Sequence, residues 1–196
     1  DVKTNLYKSQ LNKGYKMNIL KKVIKAILAV LIIIIIVVLV YAAYVFISYN
    51  RIDDNKKLKI NEPKVKSENI SDKVNTNVEY TIGTYNVGFG AYLPDYSFFM
   101  DGGKYSRCYS KESSTDAIKG AATLSNGYNP DFMMFEEVDR KSTRSYGVNQ
   151  ENIITDIFDN YYSSFAVNYN SAYLFYPFYK PIGKSYSGII LYSKYK

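Results

Sequence analysis

Four polar residues stand where two apolar runs give out: Asn86 in the run 78–87, and Glu136, Glu137 and Asp139 after Phe132-Met-Met-Phe135. A carboxylate beside a carboxamide could hold a hard divalent cation such as Mg²⁺, which prefers oxygen ligands and shares its shell with water and phosphate. Spacing alone fits a second reading, polar residues that simply close two strands at the surface, and by itself favours that plainer one. The remaining chemistry is bounded by what the chain lacks. With no histidine and a single cysteine, Cys108, there is no Ser-His or Cys-His pairing, no intramolecular disulfide and no route to ordinary zinc chemistry.

The elements that must carry these residues can be traced from periodicity. Residues 78–87 are β-branched and aromatic, partly alternating, and bounded by Gly88 and Gly90, which predicts a strand. A long loop follows over 88–103. Residues 111–126 suit a helix with Ala117, Ile118, Ala121, Ala122 and Leu124 on its apolar side, ended by Gly127 and Pro130. Residues 131–139 read as a buried strand ending in acids, 148–161 as a helix with Ile153, Ile154, Ile157 and Phe158 at helical spacing, and 163–169 as a short strand. An aromatic loop over 173–182 and a last strand over 187–193 complete the order strand, helix, strand, helix, strand, strand, an α/β layered domain. Open α/β sheets place ligands at the C-terminal ends of their strands, where Asn86 and Glu137 stand.

Charge divides the chain. Residues 1–66 carry 13 basic against 4 acidic side chains, whereas residues 67–196 carry 12 against 14, so the net charge of +7 does not describe a cationic groove for nucleic acid. The basic excess flanks residues 26–47, a stretch of 22 residues without a charge, long enough as a helix to cross the roughly 30 Å hydrocarbon core. It exceeds the usual apolar region of a cleaved signal peptide, which favours an uncleaved signal anchor. Lys13, Lys16, Lys21, Lys22 and Lys25 precede it, and Arg51 after it is followed by Asp53 and Asp54. This asymmetry predicts a single-pass protein with residues 1–25 as a basic cytoplasmic N-terminus and the globular part extracytoplasmic. Met17 opens a typical start for such an anchor, so residues 1–16 read as an upstream extension. Residues 48–77, rich in Lys, Asn, Ser and Glu, read as a polar stalk. The 22 Tyr and 10 Phe, among many Lys, Asn and Ile, accord with A/T-rich codon usage rather than with an aromatic binding platform.

Three segments carry a resemblance. Thr84-Tyr-Asn-Val-Gly-Phe-Gly90, Pro130-Asp-Phe-Met-Met-Phe-Glu-Glu-Val-Asp139 and Lys184-Ser-Tyr-Ser-Gly-Ile-Ile-Leu-Tyr-Ser-Lys194 resemble, in order, the first three motifs of the endonuclease/exonuclease/phosphatase family, which includes deoxyribonuclease I, apurinic endonucleases, sphingomyelinases and inositol-polyphosphate phosphatases. The resemblance covers residues 78–196 and implies a DNase I-like four-layer α/β sandwich, here incomplete, with Mg²⁺- or Mn²⁺-dependent hydrolysis of a phosphoester: nucleic acid, lipid or small phosphate ester. It implies Glu137 as the metal-binding glutamate and Asn86 as the asparagine that helps arrange metal and phosphate. Glu136 stands where the family usually has glutamine. Tyr186 matches a tyrosine that contacts phosphate in the apurinic endonucleases, which makes it the candidate catalytic residue, with aromatic packing as the alternative. The family's later Gly-Asp-x-Asn and Ser-Asp-His motifs have no counterpart, and its histidine general base is missing. The expectation is therefore the N-terminal half of a membrane-anchored hydrolase, inactive as it stands; a non-catalytic anchored interaction module or a decayed remnant is the alternative.

Overall fold

The computed structural model describes residues 2–50, 52–66, 71 and 73–196; Arg51, expected to flank the membrane segment, and residues 67–70 and 72 of the expected stalk lie outside the described residues. The chain divides into two compact units, Asp1–Ile47 and Ser48–Lys196.

The first unit is one helix, α1 (Val2–Ile47). Its part from Asn12 to Ile47 is long and apolar enough to cross a membrane. Isoleucine and valine are mediocre helix formers in water, but a run with no polar side chain leaves the helix as the way to satisfy every backbone N–H and C=O inside hydrocarbon. The basic residues 13–25 continue the same helix.

The second unit is built on a five-stranded mixed sheet in the order β1-β4-β5-β3-β2. The strands are β1 (Ile60–Asn61), β2 (Ile82–Asn86), β3 (Phe132–Asp139), β4 (Tyr162–Asn170) and β5 (Tyr186–Ser193). β2 and β3 are parallel, joined through helix α2 (Lys111–Gly127), and the other pairs are antiparallel. α2 starts where Ser110 accepts from the Ser113 amide and Ser113 reaches back to the Ser110 amide, a reciprocal cap with Glu112 in the first turn. Helix α3 (Gln150–Ile157) is capped by the Asn149 side chain and is shorter than the expected 148–161. α2 and α3 cover one sheet face: Ile118, Ala122, Ile154 and Phe158 pack on Met133, Phe135, Ile190 and Tyr192, all buried. Leu124, expected on the apolar side of α2, is 59% exposed; at helical spacing it falls beyond the stripe set by Ile118 and Ala122.

Two further differences concern the edges. The strand expected over 78–87 is ladder-bonded only over Ile82–Asn86, because its one neighbour, β3, begins at Phe132, opposite Ile82. The segment read as a stalk contributes β1, in which Ile60 pairs with Ser164 and Asn61 with Ser163, and the amides of Lys64 and Val65 both donate to the Asp159 carbonyl. The sheet face away from the helices carries Ile60, Ile82, Met134 and Leu191, all exposed.

Candidate functional site

The site is assembled where β2 and β3, parallel neighbours, end together. Asn86 is the last residue of β2, paired with Glu136, and the Val87 amide extends the pairing by donating to the Glu136 carbonyl at 3.1 Å. β3 then bulges: its register against β5 shifts between Phe135 and Val138, and Glu137 takes φ +56°, a left-handed conformation uncommon for a residue with a Cβ. The extra residue separates the two glutamates. The Glu136 carboxylate accepts from the Thr84 hydroxyl at 2.8 Å, whereas Glu137 Oε1 accepts from Asn86 Nδ2 at 3.1 Å. Asn86 is fixed in turn, its Oδ1 accepting from the Gly88 amide at 2.9 Å. Asn86 thus holds the Glu137 carboxylate with its nitrogen and the following turn with its oxygen.

Both residues open on a cavity of about 390 Å³, walled by Tyr85, Val87, Tyr92 and Leu93 and by Ala117 and Ala121 of α2. The small alanines leave the space. The Tyr92 hydroxyl donates to Asp101 at 3.3 Å; partial burial, then the Asp101 charge, with a smaller contribution from Glu137, push its pKa up to about 12, so it stays protonated with its one proton committed to Asp101.

The turn after Asn86 runs through three consecutive left-handed residues, Gly88, Phe89 and Gly90. At Gly90 a Cβ would fall 2.8 Å from the Ser114 carbonyl, so the residue must be glycine for α2 to approach. Phe89 is buried, and its carbonyl accepts from Gln150 Nε2 at 2.7 Å, Cys108 Sγ at 3.3 Å and Ser114 Oγ at 3.4 Å. Gln150, itself fully buried, also accepts from the Asp139 amide at 2.8 Å. One side chain of α3 therefore ties the turn after β2 to the end of β3.

Asp139 belongs to this support and not to the cavity. It is fully buried and receives Arg144 through two bonds, Nε at 3.1 Å and Nη2 at 3.0 Å, plus the Ser145 hydroxyl at 2.8 Å. The Arg144 guanidinium lies over the Phe89 ring, 4.0 Å from its centroid. A buried carboxylate so paired is a structural clamp.

Tyr186 is placed elsewhere. Its backbone is locked to the segment after β3, the carbonyl accepting from the Arg140 amide at 3.0 Å and its amide donating to Ser142 Oγ at 2.9 Å. Its side chain lines a different depression, of about 750 Å³, with Arg140, Lys141, Asn149, Glu151 and Lys184. There Arg140 pairs with Glu151 and stacks over the Phe165 ring at 3.7 Å. Gly188 lies so close to β4 that a Cβ would meet the Ala166 carbonyl at 2.2 Å, which accounts for the glycine of the third motif by packing.

Of the residues read from the sequence, Asn86 and Glu137 come together and Tyr186 lines separate walls. Among the described residues no three His, Cys, Asp or Glu side chains cluster to hold a metal ion. One carboxylate is nevertheless a donor set that suits Mg²⁺, which keeps several waters and takes further oxygens from a phosphate. Gln150, Arg144 and Tyr92 were not legible as site residues; only Phe89, set between two glycines, carried a signal that the turn is special. Compared with known proteins, the chain matches no family model, no curated protein and no solved structure.

Proposed function

We propose that this chain carries the metal-holding part of a membrane-anchored, Mg²⁺- or Mn²⁺-dependent phosphoester hydrolase with a DNase I-like domain. The observation that carries the reading is the Asn86–Glu137 hydrogen bond at the mouth of the cavity, made by a strained bulge that turns one glutamate of a consecutive pair inward. Strain of this sort persists only where the surroundings enforce it, and it gathers at functional sites. Glu137 would hold the cation, and Asn86 would fix the carboxylate's orientation. When bound, the metal supplies a Lewis acid for a phosphoryl oxygen. In the separate depression beside Tyr186, where Arg140 is paired with Glu151, Lys141 and Lys184 add positive charge suited to an anionic group. The three motif resemblances point the same way, and the long apolar helix supports the anchor.

A second reading, a module that binds metal and phosphoester without turnover, is favoured by the absence of histidine, which leaves water activation without its commonest base. One set of measurements separates the two. Mn²⁺ titrated into the full chain and followed by electron paramagnetic resonance should bind, Asn86→Ala should weaken binding by roughly 10–100-fold as loss of an orienting partner does, and Glu137→Gln should abolish it. Mn²⁺ affinity unchanged in Glu137→Gln removes the glutamate from the site. Hydrolysis of a generic phosphodiester by the same samples favours the enzyme, and binding without hydrolysis favours the module.

A further inference from the structure

The loop over residues 173–182 is held rigidly at its base and left uncovered at its tip. Leu174 and Gly183 exchange backbone hydrogen bonds, the Lys180 amide donates to the Pro177 carbonyl at 3.1 Å, and the Arg107 guanidinium donates to the Pro181 carbonyl at 2.8 Å. The tip nevertheless presents Tyr176 at 62%, Phe178 at 83% and Tyr179 at 71% exposure, beside Met100 at 71%. Phe99 joins the two segments, its ring 5.7 Å from that of Tyr176. Lys104 and Lys180 flank the patch: the Lys104 carbonyl accepts from the Tyr179 hydroxyl, the Lys180 ammonium donates to the Tyr146 hydroxyl at 3.1 Å, and the one acid of the turn beside Met100, Asp101, accepts from Tyr92. A fixed cluster of large apolar side chains in water marks an interaction surface.

We propose that this aromatic tip docks on the surface of a lipid bilayer carrying anionic headgroups. The inference rests on the reading that α1 spans a membrane. The chemistry fits: amphipathic Tyr rings with Phe and Met settle at the boundary between headgroups and acyl chains, and the two lysines meet the negative surface. Connectivity adds to it. Residues 48–59 lie between α1 and β1, a tether of 12 residues that at full extension spans about 40 Å, so an anchored globular unit stays within reach of the bilayer and the second contact is intramolecular. A series of ring contacts, Tyr92 to Phe98 to Phe99 to Tyr176, runs from the cavity wall to the tip, so a docked tip brings the Asn86–Glu137 cavity toward the lipid surface.

The chain has no tryptophan, so one can be introduced as the sole reporter. Full-length Phe178→Trp would be reconstituted in nanodiscs of phosphatidylglycerol, with Leu124→Trp on the exposed side of α2 as the comparison. The reporter at 178 should be blue-shifted and quenched about twofold or more by lipid brominated high in the acyl chain, the depth of an interfacial ring, while the reporter at 124 stays unquenched. Adding Lys104→Glu and Lys180→Glu should return the quench toward that in phosphatidylcholine discs. Equal quenching at both positions, or none at 178, overturns the proposal. So does shielding of the reporter in cell membranes but not in protein-free discs, which would assign the tip to a protein partner. Retention on the discs is read separately: a chain that is retained but unquenched loses the docking alone, and one that is not retained loses the anchor as well.

Discussion

Because the bulge after Phe135 turns Glu137 into the cavity while Glu136 stays against Thr84, two neighbouring glutamates should answer differently to the same substitution. Glu136→Gln keeps an oxygen to accept the Thr84 hydroxyl, so Mn²⁺ affinity should match the parent chain and stability should change by no more than about 0.5 kcal/mol. A thermal melt and the same resonance titration check both; a weakened ion site would mean that Glu136 reaches it. Before the structure, Asn86, Glu136, Glu137 and Asp139 looked alike, polar residues at strand ends. The bulge tells the two glutamates apart and burial sets Asp139 apart, and that burial depends on partners outside the strand. Asp139 is a clamp because Arg144 and Ser145 curl back over it and Gln150 meets its amide. Nothing in a strand's own sequence announces those partners.

The elements were most legible where local signals and the core agree. α2 begins at its expected residue because the Ser110 cap sits immediately before it, and β3 and β5 match because their inward residues Phe135, Ile190 and Tyr192 are apolar and buried. Legibility failed at the edges, where a two-residue strand such as β1 is defined by its neighbour alone. The segment over 88–109 also hides its organisation: the long loop encloses a second small core of Phe89, Ala91, Tyr96 and Cys108. That core should be sensitive to alkali. Burial pushes the Cys108 thiol from 9.0 up to about 11, and burial likewise raises Tyr96. Between pH 9 and 11 the unfolded chain therefore binds fewer protons than the folded one, and stability falls as pH rises, by about 2 kcal/mol at pH 11 for the thiol. Urea unfolding of the full chain in detergent across that range should show the decline, and Cys108→Ala should remove its part below pH 11. An identical pH slope in the variant would contradict the assignment.

At the scale of the whole chain, the basic residues and the cavity lie in different units, and this bears on the proposed topology. The basic residues 13–25 belong to α1, and the Asn86–Glu137 cavity belongs to the unit beyond it. If residues 1–25 face the cytoplasm, protease added to intact cells should trim residues 50–196, and permeabilised cells should show no additional loss from that region. Full protection in intact cells, with digestion after permeabilisation, would invert the orientation. The unit's architecture also bears on how it is made. Among the described residues β5 follows the other four strands in sequence, yet it lies at the centre of the sheet, between β4 and β3. During synthesis the β1–β4 and β2–β3 ribbons can form as they emerge, but they have no common partner until residues 186–193 leave the ribosome. Helix α1 emerges before the sheet, and a bilayer would receive it while the sheet is still in two pieces. Of these five strands the last in sequence joins the other four, and until it arrives each pair keeps an unpaired edge.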